Sequence, residues 1–183
     1  MDLDLAIAIG QGVGLAVACG LVALLPLAVG SIGAIAGLVP GALNAFDEVA
    51  LAIASSVASV ANAALTPRVT GTLKIVLAGV AGGVVFQLAA GDEVPYAGVA
   101  IGAVLGAAAA WIVSRIVDPA AAGAAPGASA GGIAVIVAGA GLAAAAAALI
   151  PFVGYVLLLV AAWFGRRARR AQDRKFAGLR VLR

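Results

Sequence analysis

The sequence predicts an all-α fold, a polytopic transmembrane helical bundle of about seven segments. Three observations predict it: apolar side chains dominate, charges are sparse, and the apolar runs are long and broken by proline or clustered charge. Hydrophobic residues make up 64% of the 183 and charged residues 10%, with a mean hydropathy of +1.20. Soluble domains carry about 25% charged residues. So few charges cannot coat a water-facing surface, and large exposed apolar patches would result. A closed barrel also satisfies its backbone in lipid, but needs alternating segments of ~10 residues. The unbroken Ala, Val, Leu and Gly runs lack that alternation.

Apolar segments run over 3–25, 27–43, 47–66, 72–90, 96–117, 131–150 and 152–166. The first follows Met1-Asp2-Leu3-Asp4, with no basic residue ahead of it. It therefore reads as a retained span and not as a cleaved signal sequence. Pro26 ends it, because proline lacks the helical donor and clashes with the preceding turn. The second holds Gly30, Gly33, Gly37 and Gly41, with Pro40 near its end, and the polar run Asn44 to Glu48 follows. Thr66-Pro67-Arg68 closes the third segment, Gly91 to Pro95 the fourth and Asp118-Pro119 the fifth. Ala120 to Gly132, with Pro126 and Ser129, reads as a flexible linker. Pro151 splits the remainder, and 152–166 is short for a span unless its helix extends into the arginines. The Pro26 and Pro151 regions thus form proline-broken hairpins that either cross fully or re-enter, the latter only where protein or water covers the backbone. The two sites share a local pattern, Ala23-Leu24-Leu25-Pro26-Leu27 against Ala148-Leu149-Ile150-Pro151-Phe152. Five residues in so Ala/Leu-rich a chain are weak grounds for an inverted repeat.

Charge divides and orients the chain. Eight of the eleven Lys and Arg follow Gly165, giving a transmembrane domain over 1–165 and a basic tail over 166–183. Positive charge beside a span end marks the cytoplasmic side, so the C-terminus is expected there. If all seven segments cross, Arg68, Lys74 and Arg115 also fall inside. Asp2, Asp4, Asp47, Glu48, Asp92 and Glu93 then fall outside.

Small residues recur every fourth position: Gly10 and Gly14; Gly33, Gly37 and Gly41; Gly79 and Gly83; Gly98, Gly102 and Gly106. Such spacing cuts a groove along one helix face, into which a neighbouring backbone fits. Packing within the chain and a homo-oligomer contact both use such grooves. Segments 72–90 and 96–117 both carry one and are expected to pack on each other.

Candidate solute-path residues are Ser55, Ser59, Asn62 and Thr66, spaced four, three and four apart on one helical face. Polar residues in spans face the bundle interior or a water-filled cavity. Two other readings stand beside a path: interhelical or self-satisfying hydrogen bonds, and an amphipathic helix lying on the membrane surface. Gln11 and Gln87, isolated amides in apolar runs, join the candidates, each with helix pairing as its alternative. Arg115 fits a membrane-edge anchor beside Trp111, within reach of Asp118 one turn on. Arg166, Arg167, Arg169 and Arg170 serve as topology signals or anionic-lipid contacts, beside Trp163. Cys19 is the only cysteine, so no intrachain disulfide forms.

Catalysis has little support. The chain has no histidine, the usual acid–base group near neutral pH. No metal-ligand spacing, nucleophile–base pair or phosphate loop is visible, so no enzyme activity and no cofactor are expected. Nucleic-acid binding is not expected of basic residues this close to a span.

Gly20-Leu21-Val22-Ala23-Leu24-Leu25-Pro26-Leu27 resembles the glycine-leucine…proline opening of a bacterial membrane family, domain of unknown function 4126. Pro151-Phe152-Val153-Gly154 through Trp163, followed by arginines, resembles that family's proline-led last helix and basic end. The likeness covers most of the chain in short, mostly apolar motifs. Val22 and Ile150 stand where the family commonly has an arginine and a histidine, so no polar role carries over. The resemblance implies a compact helical bundle in the bacterial cytoplasmic membrane and no known activity. The polar face and the two broken hairpins point to a channel or transporter for a small solute or ion. The alternatives are an accessory subunit binding a membrane partner or lipid, and a protein handling a lipid carrier.

Overall fold

The computed structural model describes residues 3–39, 49–58, 71–90, 94, 97–122 and 126–177. Among them every regular element is an α-helix: α1 (Leu3–Cys19), α2 (Leu25–Ile35), α3 (Val49–Ala58), α4 (Gly71–Ala90), α5 (Ala97–Ala122), α6 (Pro126–Leu149) and α7 (Pro151–Ala177). The all-α expectation holds. Among the described residues, two helices are long and apolar enough, by length and composition, to cross a membrane: α4, and α5 over Ala97–Arg115. With 11 residues, α2 rises only about 16 Å, roughly half of a bilayer's apolar core.

Prolines start helices here. Pro26 occupies the first turn of α2 and Pro151 opens α7, where the missing N–H has no intrahelical partner to lose. Pro126 does the same for α6; helix thus replaces the linker expected over Ala120 to Gly132 at 120–122 and 126–132, while 123–125 lie outside the described residues. The alanines there are the strongest helix formers, and they outweigh the glycines between them. Asp118-Pro119 does not end the fifth segment either: α5 runs on to Ala122. Pro119 leaves the Arg115 carbonyl without its intrahelical donor, and the helix ends within the turn that follows. Similarly, α7 continues without a break through Arg166 to Ala177.

Helix α2 stops at a specific device. Gly37 has φ +71°, a left-handed conformation that glycine adopts without penalty. Its N–H donates to Ala34 O at 3.0 Å, and Leu38 N–H donates to Gly33 O at 2.8 Å. These two bonds form a Schellman cap.

Packing rests on glycine and alanine. Helices α4 and α5 run antiparallel, with Ala78, Gly82 and Gly83 of α4 against Gly106, Gly102 and Val99 of α5. A Cβ on Gly82 would lie 2.5 Å from Gly102 O, and one on Gly102 or Gly106 would overlap Gly82 O or Ala78 O. The backbones are in direct contact. Helix α1 lies at the centre, touching α2, α4, α5, α6 and α7. Its Gly10 and Gly14 face Pro151 and Gly154 of α7, Gly12 faces the Phe86 ring, and Gly20, just past its end, faces Ala109. The order of these contacts makes α1, α5 and α7 parallel, with α4 opposite.

Side-chain size is distributed against the soluble pattern. The buried hydrophobic residues are mostly alanine, while large aliphatic side chains point outward on every helix. Val135, Leu142 and Leu159 are each 70% exposed or more. Buried large side chains concentrate around Phe86, Leu15, Leu88 and Val85, where α1, α2 and α4 meet.

Gly102→Ala is expected to lower stability by about 1–3 kcal/mol, the range for overpacking. Gly139→Ala, where no atom lies within 4 Å of the added methyl, should be neutral or stabilising by up to ~1 kcal/mol. Thermal unfolding of the two variants under one set of conditions checks the contrast.

Candidate functional site

Gln11 sits near the middle of α1 and is 4% exposed. Its Nε2 donates to Leu38 O at 2.9 Å and to Ala148 O at 2.8 Å. Leu38 follows the cap of α2, and Ala148 lies in the last turn of α6. One amide therefore holds two helix C-terminal ends, both stopping halfway along α1, with Leu38, Leu149 and Ile150 exposed around the buried amide. Gln11 Oε1 is sealed from solvent and has no partner among the described residues. The glycines around Gln11 make this possible. With side chains at Gly10 and Gly14, the α6–α7 turn could not approach; Gly14 alone admits Ala147 and Gly154.

Close by, Tyr155 Oη donates to Ala6 O at 2.9 Å, tying the start of α7 to the first half of α1. Ser31 is fully buried and donates to Leu27 O at 2.8 Å on its own helix. Gln87 is half-buried, with Oε1 also sealed and unpartnered among the described residues. A Cβ on Gly98 would lie 3.0 Å from that oxygen. The lack of a side chain at Gly98 is what admits the amide.

The predicted polar stripe is described only in part. Ser55 is buried, and its Oγ donates to Leu51 O at 2.6 Å, with Ala52 O at 3.2 Å. Both acceptors belong to its own helix. Ser59, Asn62 and Thr66 lie outside the described residues. The opposite side of α3, with Ile53 and Val57, is exposed.

The basic candidates gather where α5 and α7 end together. Arg115 lies 5.1 Å above the Trp111 ring, and Arg169 of α7 lies 6.0 Å from the same ring. Arg167 lies 5.6 Å from Trp163, which meets Phe164 edge-on at 4.8 Å. Arg115, Arg166, Arg167, Arg169 and Arg170 are exposed. A pairing of Arg115 with Asp118 lies outside the described side chains.

Sequence reasoning missed the partners of Gln11, Ser31's bond and the Tyr155–Ala6 bond. The carbonyl partners had one signal. A glycine just past an apolar run and a proline shortly after another both mark helix ends, and Gly37 and Pro151 are those residues. No protein-family model, curated protein or solved structure matches this chain.

Gln11→Leu strands one buried and one part-buried carbonyl and is expected to cost about 1–3 kcal/mol. Gln87→Leu removes an unpaired acceptor and should be neutral or stabilising. Equal losses in thermal unfolding would contradict the assigned roles.

Proposed function

We propose that the chain is a multi-pass membrane protein that carries a small polar solute or ion through its bundle. The single observation behind this reading is the convergence of two interrupted helices on the buried amide of Gln11. Helix ends at membrane depth are tolerated only where protein or water covers them. Secondary transporters build their substrate sites from such ends near the midplane. The outward-facing aliphatic side chains and small-residue interior support lipid as the surrounding solvent. The parallel run of α1, α5 and α7 supports alternate crossing, with α2 and the end of α6 as re-entrant pieces. The arginines on α7 beside Trp111 and Trp163 support a cytoplasmic C-terminal end. Gln11 is packed shut, so passage requires the end of α2 or the α6–α7 turn to move. That requirement favours a transporter over a standing pore.

A second reading has its own observation. Arg115 and Arg169, from different helices, share the Trp111 ring, a combination suited to an anionic lipid headgroup at the membrane surface. In that reading the chain is a lipid-binding accessory subunit.

Reconstitution into proteoliposomes separates the two. Transport predicts flux above protein-free vesicles that falls at least tenfold in Gln11→Leu. No flux from folded protein, together with anionic lipid retained on purification and lost in Arg115→Gln/Arg169→Gln, would replace transport with the accessory role.

A further inference from the structure

We infer that the solute handled at Gln11 is a monovalent cation of the alkali or ammonium type, an assignment that rests on the transport reading above. Both protons of the Gln11 amide are committed, one to Leu38 O and one to Ala148 O. A flipped amide would set Oε1 against two carbonyl oxygens, so the network fixes the orientation. What Gln11 has left is a single acceptor, Oε1, buried and without a partner among the described residues.

Two backbone acceptors stand beside it. Leu38 O and Ala148 O each keep a second lone pair. They sit at helix C-terminal ends, where aligned peptide dipoles place about half a negative charge. Neither α2 nor α6 carries a basic residue in its last turn, so no side-chain cation there offsets that potential. The N-terminal end of α7 opens at the same turn and offsets part of that field, but its leading residue, Pro151, brings no N–H for an anion, whereas the orphan Oε1 and the two carbonyls are all acceptors.

The strength of the field selects among cations. Divalent ions need carboxylates to repay their dehydration, and the described residues contain no cluster of three or more His, Cys, Asp or Glu. Uncharged carbonyl and amide oxygens instead suit singly charged ions, as filter carbonyls and broken-helix C-termini do in channels and transporters.

The test uses the full chain in proteoliposomes of neutral lipid. Flux of potassium, sodium and methylammonium is measured beside chloride and nitrate, and beside glycerol and urea. The expected result is cation flux at least tenfold above the anions and the neutral solutes. Flux of neutral solutes or anions without cations would overturn the cation assignment and leave transport standing. No flux at all would remove transport itself. Thermal unfolding in potassium, sodium or ammonium chloride against choline chloride then decides on binding alone: a stabilising shift sustains the cation site, and no shift overturns it. The selectivity of the unmodified chain needs no variant, so a Gln11→Leu protein that fails to fold does not block the outcome.

Discussion

Backbone-to-backbone contact through glycine is the constraint on which this architecture depends. Gly82 against Gly102, and Gly10 against Gly154, bring helices closer than any side chain would allow. A core made mostly of alanine has little apolar area to give, so adhesion comes from dense contact between main chains. The buried polar geometry follows from it. Leu38 O and Ala148 O reach Gln11 at hydrogen-bonding distance because Gly10 and Gly14 let the α6–α7 turn settle against α1, and because Gly33 and Gly37 shape the end of α2. Larger residues at these places would hold the helix ends away and leave the amide alone.

Burying that amide is costly unless its groups are used. Two of its capacities are met by carbonyls that would themselves be unpaired at a helix end, so one side chain resolves two deficits. Gln11 is thereby a structural clasp as well as the candidate contact point. The basic end works differently. Arg115, Arg167 and Arg169 lie over tryptophan faces and stay exposed, where such contacts give about 0.5–1 kcal/mol each and leave the guanidinium groups accessible.

Much of this was legible in the sequence, for reasons that differ by residue. Proline fixes φ and lacks a donor, so Pro26 and Pro151 marked helix starts wherever the rest of the chain packed. The spacing of Gly98, Gly102 and Gly106 described a groove because helical periodicity alone sets which residues share a face. Gly37 was harder, since a glycine in a four-residue series reads as packing, and here its left-handed φ ends a helix. The linker expected after Pro119 is helix at 120–122 and 126–132, because alanine propensity and breaker residues pull opposite ways and composition does not say which prevails. Ser55 exposes another limit. A hydroxyl on a polar stripe has its own carbonyl within reach one turn back, and periodicity cannot tell that bond from a path. The acceptors of Gln11 stand 27 and 137 residues away in the chain. Main-chain carbonyls carry no residue type, so only the breakers Gly37 and Pro151, which mark where helices stop, hint at them.

The uninterrupted course of α7 has a mechanical consequence. Its 27 residues make a stiff strut about 40 Å long. One extremity is seated beside the central clasp through Pro151, Gly154 and Tyr155; the other bears the guanidinium groups. A tug or tilt applied to the charged extremity is therefore delivered to the clasp with little lost in bending. Whatever grips the arginines holds a handle on the middle of the molecule.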